Sequence, residues 1–239
     1  MTRYKAAGIH LILSGLVLFA IYLFIAFVWY PHKLFALGAG LDLLRLIICV
    51  DLIVGPLVML IVFDAKKRLI KLDITIILVC QICFMSYGLW TMLSARPAFF
   101  VFSDSHFYLV RANEIDSKDL KAAANDQFNH APLLGPIYVG AIEPDDGKIK
   151  NDLTFASLGG MGVQNFPKYY VSYQQVISDV LKSGKTLKQL GVDSDTKQRI
   201  KEYEQQHATR PVLYLPMVNK LTPLIVVIDA KTAEVIDLI

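Results

Sequence analysis

The chain of 239 residues is 54% hydrophobic, with a mean hydropathy of +0.46 and a net charge of +3. This composition is too apolar for an ordinary soluble domain, and the excess lies in the first 95 residues. Residues 1–95 hold eight Lys or Arg and four Asp, whereas residues 96–239 hold sixteen basic and seventeen acidic residues. The near balance of the second part excludes a basic nucleic-acid-binding surface.

Three apolar segments predict three transmembrane helices, at about residues 7–30, 41–63 and 74–95. Crossing the hydrocarbon core of a bilayer takes about 20 such residues. We therefore divide the chain into a transmembrane domain of residues 1–95 and a second domain of residues 96–239.

The second apolar segment is unusual because it contains Asp42, Arg45 and Asp51. Its sixteen Leu, Ile, Val or Phe residues favour membrane insertion by about 5–10 kcal/mol. An acid near the middle of a span costs about 3 kcal/mol, and charges nearer the end cost less. Insertion is therefore expected, and a protein partner for Asp51 would assist it.

Basic residues in the short flanks predict the orientation of the chain. The first loop carries only Lys33, whereas the N-terminus and the second loop carry Arg3, Lys5, Lys66, Lys67, Arg68 and Lys71. We expect a cytoplasmic N-terminus, three crossings of a bacterial inner membrane and a periplasmic domain of residues 96–239. The stretch "AFVWYPHK" offers no small-x-small cleavage site, so the first helix is interpreted as an uncleaved anchor.

Residues 96–239 predict an α+β domain with about six strands. Two β-rich runs around a polar turn at 98–112 form a hairpin, and the last two strands form another. Because hairpins bracket both ends, we expect a mostly antiparallel sheet. The other predicted strands are 136–143 and 211–218, and the predicted helices are about 116–127, 144–160, 169–184 and 193–208.

No pattern in the second domain indicates an enzyme or a cofactor. Its histidines, His106, His130 and His207, lack the spacing of metal ligands. The stretch "LKSGKT" resembles the end of a phosphate-binding loop, but Asp179 stands where the first glycine is required. We therefore expect a non-enzymatic protein without a metal or cofactor.

The charged residues of the second helix remain as the candidate site. Asp42 and Arg45 are three residues apart and can pair near the periplasmic end. Asp51 is nine residues from Asp42 and points to the opposite face, so it needs another partner. Gln81 and Ser86 on the third helix are at comparable depth. Asp51 either bonds to one of them or contacts the helix of another protein, since intramembrane acids are functional candidates.

Gly55 and Pro56 follow this acid and predict a helix kink. Pro56 cannot donate a hydrogen bond to the carbonyl of Leu52, and its ring crowds that carbonyl. A kink opens a gap into which a single-span partner could pack. A structural bend without a partner is an equally good interpretation of the same residues.

Several stretches together resemble the type IV pilin accessory proteins of the TfpX/TfpZ group. The resemblance runs from about residue 5 to 239 and rests on "YPHKLFALGAG", "LLRLIICVDLIVGPLVMLIVFDAKKR", "SARPAFFVFSDSHFYLVRA" and the final "LIVVIDAKTAEVIDLI". Its matching elements are Tyr30-Pro31, Asp51 with Gly55-Pro56, Lys66-Lys67, and Ala95-Arg96-Pro97 before an aromatic strand. Ala233 replaces the glycine that is usual in the final turn of this group, which puts the geometry of that turn in question.

The resemblance implies a non-enzymatic inner-membrane chaperone that influences pilus assembly and twitching motility. Its expected partners are a type IV major pilin subunit, the lipid bilayer and further inner-membrane components of pilus assembly. Asp42, Arg45 and Asp51 are then candidate contacts for the pilin helix.

Two other interpretations remain open from the sequence. A membrane-anchored periplasmic sensor could bind a ligand or stress signal, although the predicted cytoplasmic parts offer no output domain. A small transporter component would explain the intramembrane charges, although three helices are few and oligomerisation would be required.

Overall fold

The computed structural model describes residues 2–30, 34–37, 40–206, 210–218 and 224–239, and for residues 36, 37, 40, 42 and 43 the description stops at the backbone. The chain divides into two compact units, Met1–Ala95 and Arg96–Ile239. We call the first the helical unit and the second the sheet domain.

The helical unit contains three helical spans that are long and apolar enough to cross a membrane, which indicates membrane association. They are Arg3–Trp29, Leu44–Val62 and Ile70–Ser94. The first and third begin four residues before the predicted starts, at 3 rather than 7 and at 70 rather than 74. The helical backbone continues beyond the apolar stretch into polar flanks, because helix formation needs only backbone hydrogen bonds.

Regular α-helix and π-helical turns alternate along these spans. The elements are α1 (Arg3–Phe24), a π-helical stretch Ile25–Trp29, α2 (Leu34–Leu37), α3 (Gly40–Ile48), a π-helical stretch Cys49–Val54, α4 (Gly55–Val62) and α5 (Ile70–Ser94). The Thr2 side chain accepts from the backbone N–H of Lys5 and caps α1.

The π-helical stretch Cys49–Val54 lies directly before Gly55 and Pro56, where the sequence predicts a kink. Proline removes one backbone donor, and a wider π turn is one way for a helix to absorb that loss. The backbone therefore departs from regular α-helix at the predicted place. The bend itself stays a prediction.

The sheet domain has seven strands in the order β4-β3-β1-β2-β5-β6-β7. The strands are β1 (Pro97–Ser103), β2 (His106–Arg111), β3 (Ile137–Ala141), β4 (Tyr170–Ser172), β5 (Val212–Val218), β6 (Leu224–Asp229) and β7 (Val235–Leu238). Neighbouring strands pair antiparallel, except that β1 pairs parallel with β3 and β2 with β5. The predicted mostly antiparallel sheet is confirmed, with one strand more than expected.

β1 contributes to a hydrophobic core of this domain, and all seven of its residues are buried. The turn after it has positive φ at both central residues, 46° at Asp104 and 64° at Ser105. Such a two-residue turn matches the twist of a hairpin. A second core forms where α9 (Ser194–Gln206) packs Ile200 against β5 and β6.

Two predicted helices of the sheet domain differ from the structure. The helix expected at 116–127 ends early, as α6 (Ser117–Lys121), because the Asn125 side chain accepts from the N–H of Gln127 and starts a separate 3-10 turn. The helix expected at 169–184 begins only at Tyr173, as α8 (Tyr173–Ser183). Tyr170–Ser172 instead forms β4 against β3, a long-range pairing that local periodicity does not reveal.

The final hairpin forms although Ala233 replaces the usual glycine. Ala233 adopts a φ of 58° and is fully buried. Its carbonyl accepts a hydrogen bond from the Tyr173 hydroxyl at 2.8 Å. The alanine therefore accepts the left-handed conformation of the turn, at the cost of strain that glycine would avoid. The remaining helix of the domain is α7 (Gly147–Leu158).

Candidate functional site in the helical unit

Asp51 lies on the π-helical stretch Cys49–Val54 and is 5% exposed. It is the eighth of the nineteen residues of the span Leu44–Val62, so it lies well inside the apolar segment. Within the helical unit it lines two adjacent clefts, and both also include residues of α5.

The first of these clefts, which we call the polar cleft, draws residues from all three spans. It has a volume of about 200 Å³ and is lined by His10, Leu13, Ser14, Val17, Asp51, Leu78, Gln81, Ile82 and Met85. His10 is only 7% exposed. Four apolar lining residues are exposed on the outer surface, namely Leu13, Val17, Leu78 and Ile82. The cleft is therefore polar inside and apolar at its rim.

Gly55 makes the close approach of these polar groups possible. A Cβ atom at this position would lie 1.9 Å from Nε2 of Gln81 and 2.8 Å from Nε2 of His10. Any other residue would push one or both side chains away. The glycine that the sequence associated with a kink thus also shapes the polar cleft.

Three polar atoms of this cleft are buried, namely Asp51 Oδ2, His10 Nε2 and Gln81 Nε2. Within the described residues Asp51 Oδ2 has no hydrogen-bond partner, whereas the His10 and Gln81 side chains interact with each other. The sequence left two interpretations open for Asp51, a bond to Gln81 or Ser86 and a contact with the helix of another protein. Gln81 does line the same cleft, but Ser86 is exposed and lines neither of the two clefts. Buried polar atoms are normally paired, because an unpaired group loses its bonds to water without replacement.

His10 is the residue of this site that the sequence analysis missed. It lies in α1, just before the twenty uncharged residues Leu11–Tyr30, and its burial depends on contact with Gly55 of another helix. A polar residue within an otherwise apolar helix was the available signal.

The second cleft, which we call the apolar cleft, lies between the second and third spans. It has a volume of about 390 Å³ and is lined by Leu46, Ile47, Val50, Asp51, Phe84, Tyr87, Gly88 and Thr91. A Cβ atom on Gly88 would lie 2.6 Å from Ile47, so this glycine lets the two helices approach closely. Among the described residues that line this cleft, Asp51 is the only acid.

The other predicted site residues of the second span do not join the polar cleft. Arg45 is exposed on α3, six residues before Asp51. The side chain of Asp42 is outside the part of the chain that the structure describes, so the predicted pair of Asp42 with Arg45 stays a prediction.

The motif residues outside the second span have structural contacts. The Tyr30 hydroxyl donates to the carbonyl of Met92 at 3.2 Å and so links the ends of the first and third spans. Pro31 lies outside the described residues. Arg96 is buried in the sheet domain and donates to the carbonyls of Pro132 and Ala131 at 2.9 and 3.0 Å, and Pro97 begins β1.

Within the described residues, no group of three or more His, Cys, Asp or Glu side chains could hold a metal ion. The cleft contains one acid and one imidazole, which is too small a donor set for a structural metal site. Its chemistry is that of hydrogen bonding in an apolar surround.

Comparison with known proteins identifies the family. The "Fimbrial assembly protein, serogroups C1 and C2" of Dichelobacter nodosus is 31% identical over 121 residues, which are 50% of this chain and 92% of that protein. The chain belongs to the fimbrial assembly protein family. No family model matches the chain, and no solved structure does.

Two longer members of the fimbrial assembly protein family cover more of the chain. The serogroup E1 protein of the same organism is 26% identical over 187 residues, which are 77% of this chain and 72% of that protein. The serogroup I protein of the same organism is 25% identical over 197 residues, which are 82% of this chain and 76% of that protein. These relatives are named for fimbrial assembly, so the family agrees with the resemblance that the sequence indicated.

Proposed function

We propose that this fimbrial assembly protein is an inner-membrane accessory protein of the TfpX/TfpZ kind, which acts as a chaperone for a type IV pilin. In this proposal it binds the pilin subunit and promotes pilus assembly and twitching motility. The observation that supports it most is the buried Asp51, at the base of a cleft whose rim is apolar, in a family named for fimbrial assembly.

The proposal includes an orientation in the membrane. The loop between the second and third spans carries Lys66, Lys67 and Arg68, all exposed, and basic loops stay in the cytoplasm. Three crossings then place the sheet domain in the periplasm. A pilin with an apolar helix and a globular head could meet the helical unit in the bilayer and the sheet domain outside it.

Arg45 has a different place in this proposal from Asp51. Six residues of helix rise separate them by about 9 Å along the axis. One polar group of a pilin helix therefore cannot contact both at the same depth. We assign the contact within the bilayer to Asp51 and leave Arg45 nearer the periplasmic surface, three residues after Asp42 in the chain.

Deleting the gene while the pilin gene is intact tests this function. We expect surface pili and twitching to be lost while pilin transcript is unchanged, because a chaperone acts on the subunit and not on its synthesis. Pili are counted by electron microscopy, and pilin transcript and protein are measured in the same cells. Re-expression of the wild-type chain provides the control and should restore pili.

Two results would contradict the proposed function. Normal piliation and twitching in the deletion strain would show that the protein is not needed for assembly. A fall in pilin transcript would instead support the membrane-anchored sensor.

A further inference from the structure

The polar cleft leaves hydrogen-bonding capacity unused inside an apolar unit. Asp51 Oδ2 is buried and lacks a partner within the described residues. The buried Nε2 atoms of His10 and Gln81 interact with each other, which leaves the second amide N–H of Gln81 for another acceptor. The three residues come from three different spans and line the same volume of about 200 Å³. Hydrocarbon cannot pair with any of them, so the cleft is incomplete when only lipid covers it.

The backbone is arranged to hold these groups together. Gly55 provides the space that Gln81 and His10 occupy, since a Cβ atom there would overlap Nε2 of Gln81. Asp51 precedes it on the π-helical stretch, a geometry often found at functional sites. A glycine and a π turn beside three buried polar atoms, of which Asp51 Oδ2 is unpaired within the described residues, indicate a binding site and not accidental packing.

The cleft opens sideways, towards the surface that lipid would cover. Its rim residues Leu13, Val17 and Ile82 are between 48% and 58% exposed and entirely apolar. A partner that enters between them needs an apolar exterior and one polar group. Its volume equals that of several waters at about 30 Å³ each, which is also room for a single polar side chain.

We propose that the polar cleft binds one hydrogen-bonding side chain of an otherwise apolar transmembrane helix, a side chain that both donates and accepts. The second N–H of the Gln81 amide, beyond its interaction with His10, donates, and Asp51 Oδ2 accepts. A carboxamide, a hydroxyl or a protonated carboxyl fits this set. An ammonium group only donates and leaves the Gln81 amide unpaired. This inference depends on the proposed function for one point, which is that the bound helix belongs to a pilin.

Synthetic single-span helices test the proposal with the full-length protein in lipid vesicles. One peptide of Leu and Ala carries a central Asn, and its matched peptide carries Leu at that position. Energy transfer from labelled protein to labelled peptide, at low peptide-to-lipid ratio, reports association. We expect the Asn peptide to bind about three- to thirtyfold more tightly, the range that interhelical hydrogen bonds produce in membranes.

Three variants assign this preference to the cleft. Asp51→Leu and Gln81→Leu each remove one partner and should reduce the preference for Asn, and Gly55→Ala should do so by displacing Gln81 while keeping every polar group. Ser86→Leu is the matched control, because Ser86 is exposed on the same helix as Gln81 and lines neither cleft. Helical content by circular dichroism and elution as a single species establish that each variant is folded.

Several outcomes would overturn the inference. Equal binding of the Asn and Leu peptides means that the cleft recognises no polar group, and the same conclusion follows if the preference survives in both leucine variants. A peptide with a central Lys that binds as tightly as the Asn peptide contradicts the need for an acceptor. These outcomes are independent of the test of the proposed function, because that test counts surface pili in the deletion strain and does not measure peptide binding.

Discussion

Replacing Asp51 with leucine is expected to leave the protein in the membrane while removing most of its crosslinking to pilin. The acid costs about 3 kcal/mol near the centre of a span, whereas leucine favours insertion by about 0.5 kcal/mol. The variant therefore inserts at least as well as the wild type. It loses the buried acceptor of the polar cleft, and an interhelical hydrogen bond contributes about 0.6–2 kcal/mol, so pilin crosslinking should fall about three- to thirtyfold.

The measurement compares crosslinked pilin with the amount of Asp51→Leu protein in washed membranes, and counts surface pili in the same strains. Ser86→Leu serves as the control, since it adds the same side chain at an exposed position of α5. If Asp51→Leu crosslinks and assembles pili as the wild type does, Asp51 has no role in binding the partner. Loss of the variant from the membrane fraction would contradict the expected gain in insertion.

Replacing Gly140 with alanine should lower the stability of the sheet domain by about 1–3 kcal/mol, the usual cost of overpacking a core. Gly140 lies in β3 under α8, and a Cβ atom there would lie 2.4 and 2.8 Å from the two methyl carbons of Val176. Because both methyl groups are close, a change of the Val176 rotamer does not clear the space. The backbone of the strand or the helix must move.

Thermal unfolding of the full chain in detergent measures this effect through the near-ultraviolet signal of the buried aromatic residues. A loss of 1–3 kcal/mol corresponds to a melting temperature about 2–12 °C lower in a domain of this size. Gly147→Ala is the matched control, because a Cβ atom at Gly147, at the start of α7, meets no atom within 4 Å. Equal melting temperatures for the two variants would show that α8 does not pack on β3 as described.

The sequence predicted the features of the fold that depend on local pattern. Three apolar runs, a polar turn between aromatic strands and a final hairpin were each visible in the chain. The parallel pairings of β1 with β3 and of β2 with β5 were not, because they join residues far apart in sequence. β4 was missed for the same reason, since its three residues become a strand only through their pairing with β3.

The candidate site was predicted in part. Asp51 stands out because an acid within an apolar run is costly, so sequence alone marks it. His10 lies close to the charged N-terminus, and only its contact with Gly55 shows that it is buried. Gln81 was foreseen as a neighbour of Asp51, whereas the unpaired state of Asp51 Oδ2 within the described residues depends on packing that no local pattern records.

Photo-crosslinking from the rim of the polar cleft tests most directly whether a pilin helix lies there. A photoreactive residue replaces Ile82, which is 56% exposed and lines the cleft, or Val79, which is 52% exposed on the same helix and lines neither cleft. Our account predicts a pilin adduct from position 82 that is several times stronger than the adduct from position 79. Equal adducts from the two positions, or adducts from position 79 alone, would contradict it.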